Sequence, residues 1–547
     1  MDWSVQETLD TDVLIIGSGG AGVTAALKTI EQGCDCIVVS KGEDSTSEIS
    51  ALNVPLGHAD PRDSPDALLR DVLHTGEYLN NAVLARILAE ESEERLRDLV
   101  GMGVRFEWDD DRFKQRLTAG NTYPRSVYYR DVLGRQIMAH AMRKIEGEGV
   151  KLLKNVMIFT LLMDQRRVAG ALGFNFIEKY FLAIRSKTVV LATGGAGQLY
   201  SFTTNGRGLT GDGYAMAYAC GAELVDMEFI QFEPTVAAHP GGVRGTVLPT
   251  ALLGEGAVLL NSRGERFMQR YDAIRKELTS KDLLCRAVFL EVEEGRGTEH
   301  GGVLFDASKL PRETIERRFP ATLRRLLKGG VDIREMPVEV APACHYMMGG
   351  VVIDERCQTS VSGLYAAGEV SGGVHGANRV AGGSAADILV FGHRAGKYAS
   401  KRASTINFSF SREEISQVSE KYLVSLSRRG RVDSSGEIRR RLQGVMWDCV
   451  GISRRREGLI SAVEETSSLR GEIATMKAGD FGELKNLLET ENLLAVGEIS
   501  ARSALHREES RGTHYRADFP SKDDERWLVN IIVSKRGIAE RKALSLG

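Results

Sequence analysis

The N-terminal segment constrains the fold of this chain more than any other feature. An apolar run rich in branched residues, TDVLIIG from Thr11, leads directly into the glycine-rich sequence GSGGAG over 17–22. An apolar helical pattern follows and ends at Gly33, and CDCIVVS then predicts a second strand. A strand, a turn with GxGxxG spacing, a helix and a second strand are together typical of a parallel sheet that binds a dinucleotide.

The spacing gives each glycine of this turn a physical role. Gly17 permits a tight turn, Gly19 lets the backbone approach a pyrophosphate, and Gly22 lets the helix pack closely on the strand. The N-terminus of the helix offers unpaired N–H groups to the phosphates. We therefore predict that the turn, with Gly20 and Ala21, binds a dinucleotide.

Two later segments separate FAD from a simple NAD site. TVVLATGGAG over 188–197 is another apolar strand that ends in glycines, and GLYAAGEV over 363–370 is a third. The carboxylate at the end of this third segment is placed to accept a hydrogen bond from a ribityl or ribose hydroxyl. An acidic residue usually ends the second strand and binds a ribose, but SKG stands there instead. The predicted contacts of these segments with FAD are Ser40, Lys41, Ala192, Thr193, Gly194 and Glu369.

Three motifs in the second half of the chain carry a family resemblance. They are HYMMGGV over 345–351, GLYAAGEV over 363–370 and HGANRV over 375–380. With GSGGAG, they resemble the flavoprotein subunit of succinate dehydrogenase and fumarate reductase, a family that includes L-aspartate oxidase. The resemblance covers almost the whole chain, and Ser-Lys at the end of the second strand is common in this family.

The resemblance implies an α/β fold: a Rossmann-like FAD-binding domain with an inserted α+β capping domain and a C-terminal helical domain. Helical periodicity over 411–426, 435–456, 459–476 and 481–501 agrees with this architecture. The expected boundaries are 1–235 and 340–403 for the split FAD-binding domain, 236–339 for the cap, 404–505 for the helical domain and 506–547 for a C-terminal segment. The arginine-rich stretch 502–516 by itself predicts a solvated helix face, whereas the resemblance places it against the body of the protein.

The resemblance also implies how the flavin is held. Respiratory members bind FAD covalently through a histidine in a SerHisThr segment, but the matching stretch 46–53 holds no histidine. We therefore expect non-covalent FAD, which favours reduction or oxidase chemistry over succinate oxidation. The usual GlnGlyGly is also altered to LNV over 52–54. Further flavin contacts expected from the resemblance are Thr46, Ser47, Asp212, Arg379, Ser384 and Ala385.

The substrate site matches the family only in part. In the family, two histidines, a threonine and an arginine bind a dicarboxylate, and a second arginine delivers the proton. His345 and Arg379 match these motifs, and Thr250 occupies the threonine position. Glu233 stands where the first histidine is expected, and Lys281 stands where the proton-donating arginine is expected.

These replacements change the chemistry of the pocket. A glutamate that faces a substrate carboxylate repels it unless it is protonated or paired, so pairing of Glu233 with Lys281 would remove the repulsion. Lysine can donate a proton but lacks the bidentate fork of arginine. Ala251 also replaces a glutamate of the family. The alternatives without a role in catalysis are a solvated Lys281 at the start of a helix and a Glu233 that is buried and paired for packing alone.

Composition limits the partners and the location. A net charge of −3 and a pI near 6.4 give no reason to expect nucleic acid or an anionic membrane. No apolar stretch approaches ~20 residues, and no secretory signal opens the chain, so we expect a cytoplasmic protein, tethered to a membrane only through a partner. The seven cysteines lack the spacing of an iron–sulfur ligand set, so we expect no metal here and, as partner, an iron–sulfur electron-transfer subunit.

Three functions remain open from the sequence. The first is the flavoprotein subunit of a fumarate reductase-like complex that exchanges electrons between an iron–sulfur partner and a small unsaturated or saturated acid. The second is a flavin electron-transfer subunit without dicarboxylate activity. The third is an L-aspartate oxidase, and a relative of adenylylsulfate reductase is a remote fourth option.

Overall fold

The fold is built on a mixed seven-stranded sheet. In the computed structural model, which describes residues 2–42, 46–427, 430–432 and 435–544, the strand Val5–Ile16 pairs in parallel with two neighbours, one on each side. Parallel strands place their carboxyl ends at one edge of a sheet, so the three strand-end segments predicted for FAD meet there. The strands in spatial order are Lys151–Lys154, Cys36–Ser40, Val5–Ile16, Tyr180–Leu191, Arg167–Asn175 and Val156–Asp164, with Leu364–Ala366 also parallel to Tyr180–Leu191.

A four-stranded antiparallel sheet carries the cap. Its two long strands, Ile230–His239 and Val338–Met347, pair with each other, and Val303–Asp306 and Val258–Leu260 extend the sheet. A separate apolar cluster that includes Phe267 fills the cap. The chain therefore enters and leaves the cap through adjacent paired strands, and these strands run across both expected domain boundaries.

Four long helices follow the flavin domain, as the periodicity predicts. The second of them ends at Cys449, earlier than predicted, because Arg454 pairs its backbone with Tyr515 and Ala517 instead of continuing the helix. The four helices are Arg412–Ser427, Gly436–Cys449, Arg456–Ile473 and Phe481–His506. The C-terminus then returns to the body in an antiparallel sheet of Gly350–Val351, Leu224–Val225, Val529–Ser534 and Gly537–Lys542.

The arginine-rich segment after the last long helix is buried. Arg507 donates to Glu228 over 2.7 Å and to Glu509 over 3.0 Å, and Arg511 donates to Glu509 over 2.7 Å. The solvated helix face predicted from the charge pattern is therefore wrong. Buried charges need such partners, and here they fix the C-terminal segment to the body, as the resemblance implied.

The remaining elements complete the layers around the sheets. The other helices are Gly20–Glu31, Pro65–Thr75, Ala82–Gly101, Leu133–Gly147, Asp212–Ala219, Ala251–Gly254, Met268–Tyr271, Lys281–Glu293, Arg312–Arg318, Pro320–Lys328, Gly383–Ala403 and Asp524–Trp527. Short strands are Leu52–Asn53, Ser126–Val127, Gln115–Arg116, Trp108–Asp109, Arg112–Phe113, Arg431–Val432 and Met476–Lys477. Across the described ranges, the helices are all too short or too polar to span a bilayer.

Candidate active site

The glycine turn has the geometry that its spacing predicts. Gly17 has a φ of +114°, and a Cβ there would lie 2.1 Å from the carbonyl oxygen of Ala192. A Cβ on Gly22 would lie 1.9 Å from the carbonyl oxygen of Gly17. A Cβ on Gly19 would meet only Thr46 Oγ1, at an ordinary contact distance of 3.5 Å, so the backbone is much less crowded there. Gly17 and Gly22 thus serve packing, whereas Gly19 leaves room for a pyrophosphate.

Neighbouring side chains hold this turn in place. The hydroxyl of Thr46 accepts a hydrogen bond from the backbone N–H of Gly20 over 2.8 Å, and Ser18 donates to Ser40 over 2.8 Å. Ala21 is buried in the core, and a Cβ on Gly20 would lie 2.5 Å from Ile388. Thr46 and Ser40 therefore shape the cofactor cleft, while the side chain of Ser47 falls outside the described part of the structure.

Lys41 lies in a buried charge cluster at the cofactor cleft. Its ammonium is 2.6 Å from Asp212, 2.9 Å from Glu489 and 2.6 Å from the hydroxyl of Thr210. Burial lowers the pKa of Lys41, but Asp212 and Glu489 outweigh it, so the pKa is raised overall. Asn492 also donates to Asp212 over 2.9 Å. The helical region thus contributes to this end of the cleft, through residues that no sequence motif marks.

Glu369 lies in the cleft at the end of the Leu364–Ala366 strand. Its carboxylate accepts from the backbone N–H of Met347 over 3.0 Å, and burial raises the pKa of Glu369 to about 7. A Cβ on Gly195 would lie 2.1 Å from this carboxylate, so the glycine allows its close approach. The hydroxyl of Thr193 is buried and has no hydrogen-bond partner among the described residues. A cofactor hydroxyl or carbonyl could fill that need.

One cavity joins these groups to the predicted substrate residues. It encloses about 370 Å³, and its lining includes the glycine turn, Ala192, Gly194 and Ser384. The same lining includes Glu233, Thr250, Lys281, His345 and Arg379. Ala385 is fully buried one residue beyond Ser384. The open backbone at Gly19, the unsatisfied Thr193 hydroxyl and the Glu369 carboxylate fit an elongated dinucleotide such as FAD.

Glu233 and Lys281 form a buried ion pair in this cavity. Lys281 Nζ lies 2.5 Å from Glu233 Oε2, and the side chains of Lys281 and Glu233 are 12% and 4% exposed, respectively. The expected pairing is thus confirmed, and the solvated alternative for Lys281 is wrong. Glu233 lies on the Ile230–His239 strand and Lys281 begins the helix Lys281–Glu293, so the pair joins these two elements.

His345 lies beside this pair as a neutral imidazole. Its Nε2 is 3.9 Å from Glu233 Oε2, and its Nδ1 is 2.8 Å from the hydroxyl of Thr204. Burial, together with the charges of Lys281 and Arg379, lowers the pKa of His345 well below its usual value. A neutral histidine can donate one hydrogen bond and accept another, which suits recognition of a carboxylate without full charge.

Arg379 supplies a buried cation. Its side chain is 5% exposed, its Nη2 donates to Gln231 Oε1 over 2.8 Å, and its guanidinium lies 4.4 Å from the ring centre of Tyr346. Its Nε is buried without a hydrogen-bond partner, and it forms no ion pair with a carboxylate of the described residues. Burial lowers the pKa of Arg379, but an arginine stays charged at neutral pH. The positive charge of Arg379 is therefore available to an anion in the site.

Comparison with known proteins identifies the family. Residues 12–385 match the family model of the FAD binding domain, and residues 439–545 match that of the fumarate reductase flavoprotein C-terminus. The chain is 42% identical over 540 residues to a fumarate reductase (CoM/CoB) subunit of Methanothermobacter marburgensis, covering 97% of this chain and 98% of that protein. The chain belongs to the succinate dehydrogenase/fumarate reductase flavoprotein family.

One further relative and one solved structure are also similar to this flavoprotein. It is 32% identical to the L-aspartate oxidase of a Synechocystis strain, over 95% of this chain and 96% of that one. A solved quinol-fumarate reductase structure with menaquinol molecules is 27% identical, with a TM-score of 0.92 over 99% of each chain. The predicted fold class and the FAD cofactor are thus confirmed. This flavoprotein is an FAD-dependent oxidoreductase of the fumarate reductase/succinate dehydrogenase type, which acts on CH–CH bonds.

Three arginines that the sequence did not point to also line the cavity of this flavoprotein: Arg116, Arg135 and Arg325. Arg116 donates to the carbonyl of Ser50 over 3.3 Å and stacks on Tyr128, and burial lowers the pKa of Arg116 to about 10. Arg325 of the cap lies 3.6 Å from Glu48. None of these three arginines lies in a motif, and only the tertiary fold brings them to the cavity.

Proposed function

We propose that this flavoprotein reduces fumarate or a closely related unsaturated dicarboxylic acid. The observation that carries the proposal is the Glu233–Lys281 ion pair, which lies beside His345 in the cavity that also holds Arg379. The relative from Methanothermobacter marburgensis, named as part of a fumarate reductase, supports the same substrate class.

Reduction of an alkene between two carboxylates requires anchoring groups and an acid. Arg379 has no carboxylate partner among the described residues, so it is the anchor for one substrate carboxylate. The neutral His345 and the hydroxyl of Thr250 provide hydrogen bonds within the same cavity. FAD, held non-covalently, supplies the electron pair when it is bound.

Lys281 is the proton donor in this proposal. Two electrons and two protons convert the alkene into the saturated acid, and one carbon must gain a proton from the protein. The Lys281 ammonium is a donor with a buried position, and Glu233 fixes its direction over 2.5 Å. The resulting neutral Lys281 is reprotonated from solvent before the next turnover.

Glu233 changes the charge of the site less than the sequence alone suggests. An isolated glutamate would repel the second carboxylate of the substrate, but the pair with Lys281 has no net charge. This arrangement is compatible with a dicarboxylate, and Arg116 adds a further cation along the wall of the cavity.

The electron supply belongs to the same proposal. The cysteines of this chain lack cluster spacing, so the electrons come from an iron–sulfur partner, and any membrane association is made by partners. L-Aspartate oxidation is the second candidate, since relatives with that activity are 32% and 34% identical to this chain. A flavin electron-transfer role without dicarboxylate chemistry is the third.

An anaerobic experiment separates these candidates. The purified FAD protein is reduced chemically, and the flavin absorbance is followed with fumarate added or withheld. Rapid fumarate-dependent reoxidation that is lost in Arg379→Ala supports the proposal. Reduction of the oxidised flavin by L-aspartate would instead support oxidase chemistry, and no response to either acid would leave electron transfer to another acceptor.

A further inference from the structure

We infer that Asp282 is a positioning residue, which orients Arg379 through a chain of two side-chain amides. Arg379 Nη2 donates to Gln231 Oε1 over 2.8 Å, and Gln231 Nε2 donates to Asn378 Oδ1 over 2.8 Å. Asn378 Nδ2 then donates to Asp282 Oδ1 over 2.9 Å. The functional part of this inference rests on the anchoring role proposed above for Arg379.

The two ends of the chain permit only one orientation of the amides. A guanidinium can only donate hydrogen bonds, and an ionised carboxylate can only accept them. Burial raises the pKa of Asp282, while a side-chain hydrogen bond with Ser280 and the charge of Arg286 at 3.8 Å oppose this rise. The geometry makes Asp282 Oδ1 the acceptor for Asn378 Nδ2. If either amide were reversed, donors would face donors or acceptors would face acceptors. The acceptor oxygen of Asp282 therefore fixes the orientation of both amides and, through them, of Arg379.

Burial makes this orientation costly to lose. Gln231, Asn378 and Arg379 are 1%, 6% and 5% exposed, so water cannot readily replace a missing partner. The same amides also bind the backbone of Arg379: Asn378 Oδ1 accepts from its N–H over 2.9 Å, and Gln231 Nε2 donates to its carbonyl over 3.2 Å. Loss of the acceptor at Asp282 would leave a buried donor unsatisfied and free the chain to rearrange.

Asp282 links the proposed substrate anchor, Arg379, to the proposed proton donor, Lys281. It follows Lys281 in the first turn of the helix Lys281–Glu293, and the two side chains have different partners, Glu233 and Asn378. Glu233 and Gln231 both lie on the Ile230–His239 strand. One helical turn thus holds Lys281 directly and holds Arg379 through Asn378 and Gln231. A displacement of this turn would disturb both groups together.

The test compares Asp282→Ala with Asp282→Asn in the FAD-loaded protein. The first readout is the rate at which phenylglyoxal modifies Arg379, mapped by mass spectrometry, and it needs no substrate. We expect Asp282→Ala to raise that rate at least tenfold, because Arg379 loses its fixed position. Asp282→Asn keeps a carbonyl oxygen for Asn378, so its rate should stay within threefold of wild type. Glu293→Gln, an exposed change on the same helix, is the matched control.

The second readout is steady-state fumarate reduction. Asp282→Ala should raise KM about tenfold and lower kcat less than threefold, because it loosens an anchor without removing the acid. If Asp282→Ala does not retain FAD, Asn378→Ala breaks the same chain and replaces it. A modification rate of Arg379 within twofold of wild type in the folded variant would overturn the inference. Failure of the wild type to reduce fumarate would overturn the proposed function but not this inference. The modification rate of Arg379 needs no substrate, so it would still show whether Asp282 orients Arg379.

Discussion

Lys281 donates a hydrogen bond to Glu233 over 2.5 Å, in a cavity where a family member is expected to have arginine and histidine. Lys281 replaces the arginine and keeps a hydrogen-bond donor at the substrate, and Glu233 replaces the histidine and keeps a polar group there. Together the two replacements form an ion pair with no net charge. Removing either member alone leaves a buried charge without its partner.

We therefore expect Lys281→Met to destabilise the protein more than the double variant with Glu233→Gln. Breaking a buried pair from one side costs about 3 kcal/mol, because the remaining charge stays desolvated. The melting temperature of the FAD-loaded protein should fall in Lys281→Met and recover by at least half in the double variant. Lys328→Met, an exposed change, serves as control. Equal melting temperatures for the single and double variants would show that the pair is not coupled.

Gly22→Ala should abolish FAD binding. A Cβ at this position would lie 1.9 Å from the carbonyl oxygen of Gly17, so the helix and the turn would have to separate. Flavin content after purification measures the effect. Gly471→Ala is the matched control, since a Cβ there meets no atom within 4 Å and alanine stabilises a helix interior. A Gly22→Ala protein with full flavin content would refute the assigned packing role.

The affinity for FAD should increase with pH through Glu369. Its pKa is raised to about 7 by burial in the cofactor-free protein, and a hydroxyl donor from FAD would favour the ionised form and lower that pKa. The FAD-bound state then holds fewer protons, so affinity rises as pH rises through 7. Between pH 6 and pH 8 the Kd should fall about tenfold in wild type. In Glu369→Gln this pH dependence should vanish, and an unchanged dependence would contradict the assignment.

All of the flavin should leave the polypeptide on denaturation. The only histidine that lines the cavity within the described ranges is His345, which lies at the substrate end with Glu233 and Arg379. After acid precipitation, we expect the flavin in the supernatant and no fluorescent protein band in a denaturing gel. A yellow pellet or a fluorescent band would show a covalent link through another residue.

Contiguous motifs made the cofactor site predictable from sequence. The glycine turn is formed by residues that are adjacent in the sequence. Its spacing alone therefore predicts which glycines pack against the backbone and which one faces the cofactor. The pairing of Glu233 with Lys281 could also be expected, because a buried acid in a substrate pocket needs a cation. Both predictions depend only on the types of residue present and on their spacing in the sequence.

Other features depend on contacts between distant segments. Lys41 was predicted as an FAD contact, and it lines the cavity with its ammonium bound to Asp212 and Glu489. Nothing near Glu489 in the sequence marks that residue for the cofactor cleft. The charge pattern around Arg507 by itself predicts a solvated helix face, because its partner Glu228 lies on a segment far away in the chain. A run of charged residues in the sequence does not reveal whether residues of opposite charge from distant segments pair with it in the folded protein.

The most direct test of the account is a rapid-mixing measurement of the reduced flavoprotein with fumarate, in wild type and in Lys281→Met. We predict fast reoxidation in wild type and a rate at saturating fumarate that is at least a thousandfold lower in Lys281→Met, with weaker fumarate binding as well, because the unpaired Glu233 then repels a substrate carboxylate. Reoxidation of Lys281→Met at the wild-type rate would contradict the role of Lys281. Absence of fumarate-dependent reoxidation in wild type would contradict dicarboxylate reduction itself.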